Sequence, residues 1–167
     1  LTTDGNLVPP DDASSQDAFR SGINGTRLEP RDAGEYDMVV VGAGVAGMSA
    51  AVAAARLGLR VALIGDRPVA GGNNSSEVRV HMGGRLGVGP YPQLGQLQQE
   101  FAPCREGNAQ PAAYYEDQKK MQWLQQEHGV SLFMGVHADG VTMDGTRIES
   151  ITARNVLSGE CLRFRAQ

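Results

Sequence analysis

A chain of 167 residues, 41% hydrophobic and 20% charged, has the length and composition of one folded domain with a real core. Its net charge of −4 and lack of any basic block argue against a nucleic-acid partner. Cys104 and Cys161 lie far apart without CxxC or metal-ligand spacing, which argues against a disulfide scaffold or metal centre and allows a reducing, cytoplasm-like compartment.

Residues 1–35 are rich in Asp, Gly, Pro, Ser, Thr and Asn, with Pro9-Pro10-Asp11-Asp12 and Asn24-Gly25-Thr26. They show no helical or strand period and predict a linker or extended tail. The first residue is Leu1 and no secretory hydrophobic run follows, so the start reads as a fragment edge or a processed end, with a removed export signal left open.

The informative stretch is Tyr36 to Gly72. Met38-Val39-Val40-Val41 is a β-branched run suited to a strand buried on both faces. Gly42-Ala43-Gly44-Val45-Ala46-Gly47 follows and opens an alanine-rich helix running to Leu57, with Gly58 as its stop. Arg60 to Ile64 then supplies a second buried strand. Strand, glycine turn, helix and strand make a βαβ unit of about 30 residues, the size expected of a dinucleotide-binding unit. In such a unit Gly42 permits the sharp turn, Gly44 lets the backbone approach a pyrophosphate, and Gly47 lets helix and strand pack closely. The unpaired N–H groups of the helix then face the diphosphate. The acid that takes ribose hydroxyls aligns best with Gly65, and the carboxylate comes one residue later at Asp66. Asp66 is therefore either a ribose contact or a surface partner of Arg67. Although 38–64 is long and apolar, Arg56, Arg60 and this punctuation predict no membrane span.

Further along, Glu77-Val-Arg-Val-His81 alternates polar and apolar residues and predicts a short strand with Glu77, Arg79 and His81 on one face. The loop Gly83 to Pro92 has no packing pattern. Leu94, Leu97 and Phe101 predict a short amphipathic helix before Pro103, and Pro111 to Glu127 predict a second, with Tyr114, Met121 and Leu124 as its apolar stripe. Val130 to Met134 is a third apolar strand, giving a parallel sheet of order 3-2-1. Val136–Met143, Arg147–Asn155 and Glu160–Arg165, separated by Asp144-Gly145 and Ser158-Gly159, predict a β-meander.

Tyr36 to Gly47, followed by Gly71-Gly72, resembles the N-terminus of the two-dinucleotide-binding-domain flavoproteins, which bind FAD. More narrowly, Asp66 to Gly84 (DRPVAGGNNSSEVRVHMGG) resembles bacterial FAD-dependent oxidoreductases, several of them encoded near polysaccharide-degrading enzymes. The resemblance covers roughly Tyr36 to the end. It implies FAD as cofactor, hydride transfer from a small-molecule, carbohydrate-related substrate, and a three-layer Rossmann-like FAD-binding domain over residues 36–167. The cofactor contacts it implies are Gly42 to Gly47, Asp66, Arg67, the doublet Gly71-Gly72, Asn73, Ser76 and a main-chain contact at Ala138. Val69 and Asn73 stand where the family has arginines flanking the doublet. Arg79 is implied as a phosphate or flavin-pyrimidine contact, and His81 as a proton donor or covalent flavin anchor, each against a reading as solvated surface. The family continues with a further strand and a substrate domain, so the chain, ending at Gln167, reads as truncated. An NAD(P)-binding domain and a non-catalytic cofactor-holding module remain the alternatives, and nothing in the sequence fixes an oligomeric state.

Overall fold

The computed structural model describes residues 8, 10–24, 29–84, 89–90, 95–101 and 107–166. At its centre lies a parallel sheet of β2 (Met38–Val41), β3 (Val61–Gly65) and β4 (Val130–Met134), in the spatial order β2-β3-β4. This is the 3-2-1 order expected from the three apolar runs. β3 is buried along its whole length, as a strand covered on both faces must be. On one face lie α2 (Val45–Arg56), α3 (Gln96–Phe101) and α4 (Asp117–Gln126). Met48, Ala51, Val52 and Ala55 of α2 pack with Val40, Val61, Leu63, Phe101 and Leu124 to form one core.

The other face is covered by the second sheet. It contains β5 (Val136–Asp144), β6 (Arg147–Asn155) and β7 (Cys161–Ala166), the expected meander, with turns where Asp144-Gly145 and Ser158-Gly159 predict them. Ala62 and Ile64 of the central strand pack against Val136, Ala153, Leu162 and Phe164 in a second core. Phe133 meets Phe164 edge-on at 4.8 Å, tying the two sheets together. Helices, parallel sheet and meander therefore form three layers.

Three segments differ from the sequence expectation. Where an extended tail is predicted, the structure has α1 (Ala13–Asn24) and β1 (Arg31–Tyr36). Asp12 initiates α1, accepting the Ser15 N–H at 2.8 Å and the Ser14 hydroxyl at 2.7 Å, and these bonds lower its pKa to about 2. β1 adds in parallel to β7, so the meander is extended to a four-stranded sheet of order β1-β7-β6-β5. The strand predicted over residues 77–81 is absent, because the chain turns from Gly72 to Val78 and Arg79 takes φ +64, incompatible with extended backbone. The helix predicted over 111–127 is split at Glu116, whose φ of +51 separates a 3₁₀ turn (Ala112–Tyr115) from α4. Leu94, Pro103 and Cys104 lie outside the described residues, as does most of the loop from Gly83 to Pro92.

The helical layer is fastened by one charged cluster. Arg56 of α2 donates two hydrogen bonds to the Glu100 carboxylate, at 3.0 and 2.8 Å, and also pairs with Glu127. Its guanidinium lies 5.8 Å from the Trp123 ring centroid, and the Trp123 indole donates to Glu100 at 3.3 Å. The Arg56 hydrogen bonds hold the Glu100 carboxyl below its ordinary value of 4.5. A lowered folded-state pKa means that the stabilisation is complete above the ordinary value and is lost as pH falls through the folded one. Glu100→Gln should therefore flatten the acid limb of the stability profile below pH 4.5, measured by denaturant unfolding at stepped pH. An unchanged acid limb would show that the pair contributes nothing.

Candidate functional site

The glycine turn lies between the end of β2 and α2. Gly42 leaves β2 with φ +108, a conformation costly for other residues, and its N–H donates to the Ile64 carbonyl at 2.7 Å. Gly47 lies so close to the turn that a Cβ there would overlap the Gly42 carbonyl oxygen. Gly44 caps α2 without any side-chain hydrogen bond, and the first backbone bond within the helix runs from the Met48 N–H to the Gly44 carbonyl. The N–H groups of Val45, Ala46 and Gly47 thus belong to the open end of the helix, where an anion is favoured.

The doublet is laid directly against this turn. Gly44 and Gly71 form an isolated parallel bridge, and the Gly71 N–H donates to the Ala43 carbonyl at 2.8 Å. A Cβ on Gly72 would lie 3.0 Å from the Gly44 Cα, so the close approach of the two segments requires glycine at position 72. Ser75 donates to the Gly72 carbonyl at 2.7 Å, and the Asn74 amide donates to the Val80 carbonyl at 3.1 Å.

Two clefts open from this junction. The first, about 490 Å³, is lined by Gly44 to Ala46, Gly71 to Asn74, and Val80 to Met82. The second, about 120 Å³, is lined by Gly42 to Gly44, Gly65 to Arg67, Val69, Gly72 and Met134. They share Gly44 and Gly72, so a ligand crossing that pair has one half towards Asp66 and the other towards His81. The cradle fits a dinucleotide: a Cβ at Gly44 would face nothing nearer than the Gly72 Cα at 3.9 Å, leaving room beside an open helix terminus.

Of the residues implied by the resemblance, Gly42 to Ala46, Asp66, Arg67, Gly71, Gly72, Asn73 and His81 line these clefts. Gly47 supports the turn from behind. Asp66 faces His137, with its carboxylate 3.7 Å from Nδ1, while Arg67 pairs with Glu77 at 3.1 Å; the alternative Asp66–Arg67 pair does not form. Ser76 and Arg79 line neither cleft. The Ser76 N–H donates to the Asp117 carboxylate, and the exposed Arg79 bends back to donate through Nε to the Ser76 carbonyl at 3.0 Å. Ala138 packs on the second core beside His137, which turns outward next to Asp66.

Two contributors carry no sequence motif. Lys120, only 1% exposed, donates to the carbonyls of Asn74 and Tyr115 and lies 3.6 Å from the Asp117 carboxylate, directly under the doublet. Its signal was a lysine four residues before Leu124, on the same face of the helix. Asn108 accepts from His81 and has no sequence signal at all. Among the described residues no cluster of His, Cys, Asp and Glu could hold a metal, and no helix is long and apolar enough to cross a membrane.

A search of curated proteins returns no significant match. Solved structures share the fold at low identity. Thermovibrio ammonificans THI4 is 20% identical with a TM-score of 0.56, over 79% of this chain and 55% of that one. The 3-ketosteroid-Δ4-(5α)-dehydrogenase of Rhodococcus jostii is 17% identical with a TM-score of 0.52, over 82% and 46%. An E. coli quinol fumarate reductase FrdA variant is 16% identical with a TM-score of 0.56, over 81% and 32%. The chain thus spans about half or less of these structures' lengths. The family model of FAD dependent oxidoreductases matches residues 37–167, nearly the whole three-layer unit, and the chain belongs to that family, with FAD as its cofactor.

Proposed function

We propose that this chain forms the FAD-holding part of an enzyme that oxidises a small-molecule substrate by hydride transfer. The observation that carries the reading is the continuity of the two clefts across Gly44 and Gly72, at the open end of α2. The N–H groups of Val45, Ala46 and Gly47 bind the diphosphate there, and no side chain on Gly44 or Gly72 stands in its way. Asp66 orients the ribose hydroxyls on the small-cleft side, with His137 beside it and the main chain of Ala138 next along the strand. On the other side, Val80, His81 and Met82 line the larger cleft, where His81 is the titratable group placed to move a proton. Bound FAD supplies the two-electron acceptor, which no protein side chain can replace. A carbohydrate-related substrate rests on the sequence resemblance alone.

The test is a visible absorption spectrum of the purified full-length protein, followed by titration with FAD and with NAD(P)H. A two-band flavin spectrum or saturable FAD binding is expected, with bleaching when the substrate is added. Tight NAD(P)H binding without affinity for FAD would overturn the reading, and flavin that no candidate substrate bleaches would reduce it to a cofactor-holding module.

A further inference from the structure

His81 and Asn108 are 27 positions apart in sequence and meet at the rim of the larger cleft. The Asn108 side-chain oxygen lies 2.9 Å from the His81 backbone nitrogen and 2.6 Å from its ring Nδ1. A backbone N–H can only donate, so the group facing it must be the amide oxygen and not the NH₂. That fixes the orientation of the Asn108 amide. The same oxygen can only accept, so the ring nitrogen beside it must also be a donor.

We infer that Asn108 is a positioning residue that holds neutral His81 as the Nδ1–H tautomer and so presents a bare Nε2 at the cleft as a proton acceptor. The neighbouring backbone keeps that ring edge open: a Cβ on Gly83 would sit 3.3 Å from Nε2, and glycine leaves the space empty. In this state His81 takes a proton from a ligand O–H or N–H. The proton's bonding pair stays on the ligand atom, Nε2 gains the new N–H bond, and the imidazolium formed keeps its Nδ1–H bond to Asn108. The sequence resemblance suggested a proton donor; the tautomer assigns the opposite direction to the first transfer. The inference rests on the proposed use of the cleft, but it concerns one histidine and is separable from FAD binding.

The test is long-range ¹H–¹⁵N correlation spectroscopy on the full-length protein, labelled at histidine, at a pH where the imidazole is neutral. His81→Gln assigns the resonance by its loss. The expected result is an Nδ1–H tautomer in the unaltered protein and in Asn108→Asp, which keeps an acceptor for both donors. Asn108→Ala should lose that signature and revert to the Nε2–H tautomer that free histidine prefers. An Nε2–H tautomer in the unaltered protein, or an Nδ1–H tautomer that survives Asn108→Ala, would overturn the inference. If Asn108→Ala fails to fold, the unaltered protein and Asn108→Asp still decide it. FAD titration of the same samples separates the two ideas: normal FAD affinity with the wrong tautomer removes only the inference, whereas no FAD binding removes the proposed function.

Discussion

Gly44→Val should reduce FAD affinity by more than about 100-fold while leaving the domain folded. The fold tolerates the change because Gly44 has φ −72 and ψ 175, extended backbone open to any residue. A Cβ there meets only the Gly72 Cα, at an ordinary 3.9 Å. The free space is the junction of the two clefts, at the open end of α2. Valine's methyl groups would occupy the space that a pyrophosphate needs, and the binding lost includes most hydrogen bonds from the helix terminus. The stability cost is that of exchanging a glycine cap for a valine cap, about 1 kcal/mol. That corresponds to a fall in Tm of roughly 2–4 °C for a domain of this size. The contrast with Gly47 is instructive, since a Cβ there collides with the Gly42 backbone oxygen and any loss of binding would follow from the fold. Thermal unfolding together with FAD titration of Gly44→Val separates the two kinds of glycine. Retained affinity in a folded variant would remove Gly44 from the cofactor site.

What the sequence displayed of this arrangement depended on whether the cause was local. β2, β3 and β4 are short apolar runs between two covering layers, β3 buried throughout and β2 and β4 mostly half-buried, and that leaves a direct compositional trace. The hairpin turns need left-handed residues, and Gly145 and Gly159 provide them at φ +60 and +73. β1 has no such trace. Its residues, Arg-Asp-Ala-Gly-Glu-Tyr, have little strand character, and it becomes a strand because β7, about 130 residues later, offers an unpaired edge. α1 did carry a local signal, the Asp12 cap, masked by the proline and aspartate before it. The alternation from Glu77 to His81 is real but belongs to no strand, because Tyr115 and the Ala109 N–H hold the Arg79 carbonyl while Arg79 takes a left-handed conformation. The site follows the same division. Its glycines were readable because each is required, by backbone geometry or close packing at Gly42, Gly47, Gly71 and Gly72 and by room for the ligand at Gly44. Asn108 was not, because an asparagine in a loop has no pattern until the fold places it beside His81.

Lys120→Met should destabilise the protein by about 3–5 kcal/mol, the usual cost of removing one member of a buried ion pair. At this size that is a fall in Tm on the order of 10 °C. Methionine fills nearly the same volume, so the effect measures the lost polar contacts and not a cavity. Lys120 is 1% exposed and its partner Asp117 has a side chain 13% exposed, so little water is available to replace the missing charge. The Asn74 and Tyr115 carbonyls lose a donor at the same time. The loss falls on the loop that carries the doublet, since Asn74 also donates its N–H to the Gly71 carbonyl at 3.0 Å, and Asp117 anchors the Ser76 N–H. FAD affinity should therefore fall along with stability, by roughly 10–100-fold, as for other groups that orient a site without touching the ligand. Adding Asp117→Asn removes the stranded carboxylate and should recover part of the stability, a coupling that a double-mutant cycle measures directly. Denaturant unfolding of the two single variants and the double variant provides the numbers. A Lys120→Met protein within about 1 kcal/mol of the parent would show that the stranded Asp117 carboxylate and the two carbonyls are satisfied without the lysine, and that the pair contributes little to stability. The doublet would then owe its position to the backbone bonds linking Gly71 to Ala43 and Gly44 and to the local bonds from Asn74 and Ser75.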